Sequence, residues 1–478
     1  MRFSSILHVV SSLLSFSFTV PLTALAVTSA WEFQPYRIHA VIVVDAPGGL
    51  ADRWNREIPK YLQDRADAAL APAWSLDVEL ATSSQRAAVI NDLASESDAK
   101  PSYLPNDRDK LLLLAVRATP IGFNLAAREY DSYLQHWGPT LHRECRQPSS
   151  VAEQLFALAQ QAFTPLARFE VDPTDPQTVT LQPRGSALPS GADAPPWAKP
   201  GDVFVPYLRR TGRNGELAEN GLTTVPWTYI EATEGADKSM KFHVTSGSRR
   251  PFGARRQARV EQLALAASPA ETPTILTLHA RKNEKKPLIG YEVLAQTDPK
   301  TPPASIGFSD TAGQVRIPPG KTPVETLQIK HGGQLLARLP VAPGAEREVK
   351  VPLPDDDARL AAEARLGAVR EDLIDVVARR NILISRARQK IDKKDFAAAE
   401  ALLRSLDDLP GRSQFELTLS SSARAIQSDD PQIQRRIDQM FQATKSLSAQ
   451  FLDVKPISQL HDALREAQQQ TEAKTGKT

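Results

Sequence analysis

Arginine is the charged residue most concentrated in the middle of the chain. Three arginines directly precede a predicted turn at residues 214–215, and five more follow within residues 249–259. Positive charge gathered on one surface attracts anions, so this set predicts a site for a polyanion such as an acidic glycan or a lipid head group. The alternative is a solvated, salt-paired strand edge. The eight residues are Arg209, Arg210, Arg213, Arg249, Arg250, Arg255, Arg256 and Arg259.

Two carboxylates are candidates for acid–base chemistry. Glu129 and Asp131 lie on either side of Tyr130 and could act as a general acid and a general base across a cleft. No neighbouring residue is identifiable as a support for such a pair. The chain also contains no G-x-S-x-G, Walker, H-E-x-x-H or C-x-x-C motif. The sequence therefore assigns no catalytic residue and favours a protein that is not an enzyme.

Four potential zinc ligands lie within ten residues: His136, His142, Glu144 and Cys145. Their spacing matches no metal-binding signature, and Gly138-Pro139 prevents a shared helix face. The alternative is a surface loop, and the sequence assigns no metal site and no cofactor. Cys145 is the only cysteine, so the chain has no intramolecular disulfide, and we predict a buried thiol.

Aromatic side chains offer one further kind of site. Trp197, Trp227 and Tyr229 could stack on sugar rings. Trp227 falls inside a strand pattern, where a core position is the more ordinary outcome.

The first thirty residues have the layout of a secretory signal peptide. Arg2 precedes an apolar core interrupted by Ser and Thr, and residues 24–26 and 28–30 offer two cleavage sites. We expect cleavage after Ala26 or Ala30 and a periplasmic or extracellular location. The alternative, a retained anchor, needs a longer uninterrupted apolar run, and no later segment predicts a membrane span.

Length and charge limit the architecture and the partners. A chain of 478 residues predicts three or four domains, and a net charge of +2 argues against nucleic acid as a partner. We predict a multidomain α+β protein.

Residues 31–165 predict a small α/β domain. Apolar runs at 38–44 and 110–116 predict strands, residues 74–80 alternate as a half-buried strand does, and residues 50–62 carry apolar positions at helical spacing.

Residues 166–270 predict a small β-barrel or sandwich, because short strands alternate with turn signals. The element order and the segment at 201–205 resemble the small barrels of exported envelope-assembly proteins. In those proteins the barrel follows an α/β domain similar to the TolB amino-terminal domain and its curli and flagellar relatives. The resemblance implies an envelope-associated role and brings no catalytic motif.

Residues 272–354 predict a β-sandwich. Asp310 can close a turn, Gly313 can take a positive φ, and Val315 and Ile317 then return to the core. The strand at 286–293 and this hairpin resemble the transthyretin-like, carboxypeptidase-regulatory type of immunoglobulin-like sandwich. Such modules are usually structural additions without an active site.

Residues 355–460 predict a helical bundle, followed by a polar tail at 461–478. The hairpin at 387–406 resembles a single tetratricopeptide unit. A long first helix could close against its neighbours or leave a groove for a partner helix or for a second copy of the chain.

These observations favour an exported, non-catalytic binding or scaffold protein of the bacterial cell envelope. Its expected partner is a protein or an envelope glycan, and a homodimer through the helical segment is a further possibility. The alternative is an envelope hydrolase that uses a carboxylate pair.

Overall fold

A computed structural model describes residues 31–94, 99–189, 191, 195–213, 216–235, 240–252, 259–267, 273–298, 300–320 and 322–475. The predicted signal peptide lies outside these residues, and so do Arg255 and Arg256. No helix within the described ranges is long and apolar enough to cross a membrane.

The N-terminal sheet has six strands. They are β1 (Tyr36–Asp45), β2 (Trp74–Leu80), β3 (Lys110–Thr119), β4 (Gly122–Asp131), β5 (His136–Trp137) and β6 (Leu141–Cys145). Strand β1 lies between β2 and β3, and both pairings are parallel. Strand β4 is antiparallel to β3 and pairs on its other side with β5 and β6. The strands predicted at 38–44, 74–80 and 110–116 are confirmed.

Three helices cover the two faces of this sheet. Helices α1 (Gly48–Ala69) and α3 (Val151–Ala162) pack on one face, and α2 (Ser83–Ala94) packs on the other. Because both faces of β1 are covered, its central residues form an almost unbroken buried apolar run.

The middle of the chain forms a closed barrel. Its strands are β7 (Leu166–Val171), β8 (Thr178–Pro183), β9 (Val203–Thr211), β10 (Leu217–Thr224), β11 (Thr228–Glu234), β12 (Met240–Ser246) and β13 (Val260–Ala266). Six of them close in the order β9-β11-β12-β8-β7-β13, and β13 pairs again with β9. Strand β10 lies outside the ring and pairs with β9. Of the two predicted alternatives, barrel and sandwich, the structure shows the barrel.

Two four-stranded sheets follow. Their strands are β14 (Thr274–Ala280), β15 (Asn283–Pro287), β16 (Glu292–Gln296), β17 (Ala304–Phe308), β18 (Gln314–Ile317), β19 (Glu325–His331), β20 (Gln334–Val341) and β21 (Glu348–Leu353). One sheet contains β14, β15, β18 and β21, and the other has the order β17-β16-β19-β20. Val293, Val315 and Ile317 are buried in one core between them, as the sequence predicts.

The predicted turn before β18 is confirmed in detail. Asp310 Oδ1 accepts hydrogen bonds from Ala312 N and Gln314 N. Gly313 has φ +73°, and a Cβ there would lie 2.4 Å from Leu278 O. Both the backbone angle and the close approach require glycine.

The C-terminal region contains five helices. They are α4 (Asp357–Asp392), α5 (Phe396–Asp407), α6 (Arg412–Ala425), α7 (Pro431–Phe451) and α8 (Lys455–Thr475). The first half of α4 shares an apolar core with α6 and α7, and its second half shares a separate core with α5 and α8. The long helix α4 therefore packs on its neighbours, but each of them covers only one half of it.

The segment at 461–478, predicted as a polar tail, is helical as far as Thr475. Helix α8 continues to Thr475, and Leu460 and Leu464 are buried against α4 and α5. The many polar residues of the segment obscured the few apolar positions that face the core. The chain is therefore a multidomain α+β protein with a six-stranded barrel and a C-terminal helical region.

Candidate functional site

The carboxylates of the predicted acid pair are buried at one end of the N-terminal sheet. Glu129 and Asp131 lie on β4, and the register with β3 places Lys110 opposite Asp131. Lys110 Nζ lies 2.6 Å from Glu129 Oε1 and 2.9 Å from Asp131 Oδ2. The three side chains are only 1–2% exposed. The structure thus brings the two carboxylates together around a cation.

Residues between α3 and β7 complete this cluster. Thr164 N donates to Glu129 Oε2 at 2.9 Å, and Lys110 Nζ donates to Thr164 O at 2.6 Å. The Tyr36 hydroxyl of β1 donates to Leu166 O and accepts from Leu166 N. Because Leu166 is the first residue of β7, the cluster joins the N-terminal sheet to the barrel.

The charges of this cluster stabilise one another. Burial raises the pKa of Glu129, and the positive charge of Lys110 opposes that rise only in part. Burial also acts to lower the pKa of Lys110, but the charges of Asp131 and Glu129 outweigh it and raise that pKa. A general base must reach the proton that it abstracts. Buried carboxylates committed to Lys110 and Thr164 do not offer that access, which contradicts the predicted position of the pair across a cleft.

A second ionic group lies at the same junction. Asp109 accepts hydrogen bonds from Arg37 N at 2.9 Å and from Arg184 Nη2 at 2.8 Å. Burial acts to raise the pKa of Asp109, but the hydrogen bonds from Arg37 and the charge of Arg184 lower it overall. Arg184 follows β8 and also donates to Pro35 O. This group therefore connects the barrel to the start of β1.

The four potential zinc ligands are not brought together. Strand β6 directs Cys145 into the core, whereas His142 and Glu144 are exposed on its opposite face. His136 lies on β5, with its ring 6.0 Å from that of Tyr207. The described part of the chain contains no group of three or more His, Cys, Asp or Glu residues that could hold a metal ion.

The three candidate sugar-stacking aromatics pack against hydrophobic cores. Trp197 lies 6.0 Å from the Tyr36 ring, measured between centroids, and packs against the core under α1. Trp227 packs against the sandwich core, and Tyr229 is buried between barrel and sandwich. Tyr229 is buried, whereas Trp197 and Trp227 remain partly exposed.

The predicted arginine set divides into two kinds of residue. Arg209 lies on β9, is half-buried, and pairs with Glu261 Oε2 at 3.0 Å while stacking over the Tyr133 ring. The five other described members are exposed and have no carboxylate partner within the described residues. They are Arg210, Arg213, Arg249, Arg250 and Arg259. Arg209 therefore supports the fold, and these five remain candidates for binding.

Helices α4 and α6 enclose a groove of about 300 Å³. Val369, Val376 and Phe415 supply its apolar lining, and Asp372, Asp375 and Arg379 supply its charges. The groove lies beside Pro410, in the short connection between α5 and α6. Mixed charge and a small volume give it no evident ligand class.

Sequence reasoning missed a second buried ionic cluster, between the sandwich and α4. Asp356 is fully buried and accepts from Arg359 Nε at 2.8 Å, and Arg359 Nη2 donates to His331 O. The Tyr291 hydroxyl accepts from Asp356 N, and its ring stacks on His331 at 4.1 Å. The acidic run at 355–357 is typical of a helix N-terminus and does not by itself indicate a buried ion pair. The arginine three residues after Asp356 was the available signal for a local ion pair.

Comparison with known proteins adds little to this description. No protein-family profile and no curated protein matches the chain. A similar solved structure is that of TolB from Acinetobacter baumannii, at 8% sequence identity and a TM-score of 0.17, covering 67% of this chain and 96% of the TolB chain. A TM-score of 0.17 carries no argument about fold or function. The TolB-like resemblance in the sequence thus remains an expectation.

Proposed function

We propose that this chain is a non-catalytic binding or scaffold protein, exported to the bacterial cell envelope. The observation that supports this most directly is the closed cluster at Glu129 and Asp131. These are the residues on which the alternative hydrolase would depend. Glu129 binds Lys110 and Thr164, and Asp131 binds Lys110, where the N-terminal sheet meets the barrel. Carboxylates held in this way are not accessible to a substrate as a general acid or a general base.

The layout of residues 1–30 supports export, with a mature chain that begins at Val27 or Trp31. The sandwich at 272–354 would be a transthyretin-like spacer, and the helical hairpin at 387–406 a tetratricopeptide-like unit. The expected partner is a protein or an envelope glycan. Exposed apolar residues such as Ile374 and Phe451 are consistent with self-association through the helices.

One experiment addresses export and another addresses catalysis. Amino-terminal sequencing of the protein from a periplasmic fraction should give Val27 or Trp31 as the first residue. The full precursor found only in the cytoplasm would contradict export.

The purified mature chain, incubated with isolated cell-wall peptidoglycan, should release no soluble fragments above a buffer control. Release that Glu129→Gln abolishes and Glu144→Gln preserves would overturn the scaffold proposal, because Glu144 is an exposed carboxylate on the neighbouring strand β6. Melting curves of both variants show whether each is folded.

A further inference from the structure

Three exposed arginines lie on neighbouring strands at one end of the barrel. Arg210 of β9 pairs in register with Val260 of β13, and Arg259 directly precedes that residue. Arg259 O accepts a hydrogen bond from Thr211 N at 3.0 Å. Arg213 follows two residues after Thr211, in the turn towards β10. All three therefore lie where β9 ends and β13 begins.

Arg249 and Arg250 reach the same end from another loop. They follow β12 and lie three and two residues before Phe252, whose ring packs 4.8 Å from that of Phe169, measured between centroids. Strand β13 lies between β7 and β9, and its register places Phe169 of β7 at the same height in the barrel as Leu208 of β9. Leu208 lies only two residues before Arg210. The two loops thus border one opening of the barrel. We call Arg210, Arg213, Arg249, Arg250 and Arg259 the arginine mouth.

The arginine mouth carries five positive charges beside four acids. Its five guanidinium groups are exposed and have no carboxylate partner within the described residues. The acids at the same end of the barrel are Asp172 and Asp175 in the loop between β7 and β8, and Glu216 and Glu219 on the β9–β10 hairpin. Glu261, the acid of β13, is already shared by Arg168 and Arg209. No described carboxylate pairs with any of the five arginines, so an anion that contacts several of them at once would meet a locally positive surface.

Neighbouring parts of the chain flank this opening on two sides. Tyr133, from the loop after β4, contacts Arg209 and Glu261 beside the β9 and β13 rim. Gly247, at the start of the loop with Arg249, lies against Leu339 of β20. A rim flanked in this way suits a chain-like ligand better than a flat bilayer surface.

We propose that the arginine mouth binds a linear, phosphate-bearing polyanion. The guanidinium fork matches phosphate oxygens in bidentate geometry. None of the five groups is buried, so the mouth lacks the enclosed donors that a single small anion requires. Charges distributed around a rim instead match anions repeated along a polymer, which binds by releasing its condensed counterions.

This inference rests on the proposed function and names a ligand class for the same scaffold. The two fail separately. If the protein fails to bind a polyanion, the proposal of a non-catalytic scaffold still stands. If the protein degrades peptidoglycan, the scaffold proposal fails but binding at the arginine mouth is not affected.

The probe is long-chain inorganic polyphosphate, titrated against the full mature chain by calorimetry at several salt concentrations. We expect the logarithm of the binding constant to fall linearly with the logarithm of salt concentration. The variant R210Q/R249Q/R250Q should bind at least about tenfold more weakly. Its salt slope should be smaller by about three, because each arginine removed leaves one phosphate without a partner.

The matched control is R386Q/R388Q/R404Q, which removes three exposed arginines from α4 and α5. It should bind as the unmodified protein does. Equal weakening in both triple variants, or no binding by the unmodified protein, would overturn the proposal. A parallel titration uses phosphatidylcholine vesicles with and without phosphatidylglycerol. Arginine-dependent binding to the anionic vesicles that exceeds binding to polyphosphate would also overturn it, by assigning the mouth to a membrane surface.

Discussion

At the residue scale, Lys110 compensates two buried carboxylates at once. We expect Lys110→Met to lower the free energy of unfolding by roughly 3–5 kcal/mol, because it leaves Glu129 and Asp131 buried without a counter-charge. The triple variant K110M/E129Q/D131N should recover part of that loss, since it carries no buried charge. Denaturant unfolding measures both, with the exposed Lys285→Met as control. A triple variant no more stable than the single one would contradict this account.

Asp109 gives a pH dependence whose sign is fixed by its lowered pKa. A carboxyl with a lower pKa in the folded state stabilises the protein above its unfolded pKa of about 4 and loses that contribution as the pH falls through the folded value. The stability difference between the unmodified protein and Asp109→Asn should therefore shrink as the pH is lowered from 6 towards 3. A difference that stays constant over this interval would refute the role of Asp109.

The same residues show how far the sequence predicts a site. Glu129 and Asp131 stand out because a strand places residues two apart on one face. Lys110 lies 19 positions before Glu129 in the sequence, and only the register between β3 and β4, which pairs Lys110 with Asp131, brings it to both carboxylates. Nothing in the sequence separates Arg209 from Arg210. Because successive side chains of a strand point to opposite faces, Arg209 contacts Glu261 and Arg210 is exposed. Which charged side chains are paired inside the fold therefore depends on strand pairing between residues far apart in the sequence.

At the element scale, local chemistry predicted best where one turn determines the outcome. Asp310 and Gly313 fix the hairpin before β18 through short-range hydrogen bonds and a positive φ, so the inward direction of Val315 and Ile317 follows from the sequence alone. The pairing of helices is different. Apolar periodicity gives each helix an inward face, but it does not say which half of α4 that face will cover.

The sandwich core provides a test at this scale. Ile317→Asp should destabilise the module by at least about 3 kcal/mol, because it places a carboxylate without a partner among apolar side chains. Ile289 belongs to the same module and is 53% exposed, so Ile289→Asp is the matched control and should change the melting temperature little. Equal melting of the two variants would reject the proposed core.

At the scale of the whole molecule, buried ionic clusters occupy two of the junctions between successive parts of the chain. The Lys110 cluster joins sheet and barrel, and the Asp356 cluster joins sandwich and α4. A buried ion pair adds little net stability compared with apolar packing, but breaking it is costly. We therefore expect each cluster to favour one relative placement of the parts that it joins, since any other placement would leave buried charges without partners.

The helical region gives the last prediction, because α4 runs through two separate cores. Between them lies Arg380, whose guanidinium donates to the backbone oxygens of Phe451 and Asp453 where α7 gives way to α8. The variant L460D/L464D should remove hydrogen-exchange protection from α5 and α8 and leave α6 and α7 protected, since its two charges enter only the second core.

The reciprocal variant I433D/I437D should expose α6 and α7 and spare α5 and α8, because both isoleucines belong to the first core. The control is Leu447→Asp, at a partly exposed position of α7, which should alter neither half. Loss of protection in all four helices from either double variant would show that the two cores unfold as one unit. Independent loss would mean that the continuous helix α4 can hold one half folded while the other opens to a partner or to a second copy of the chain.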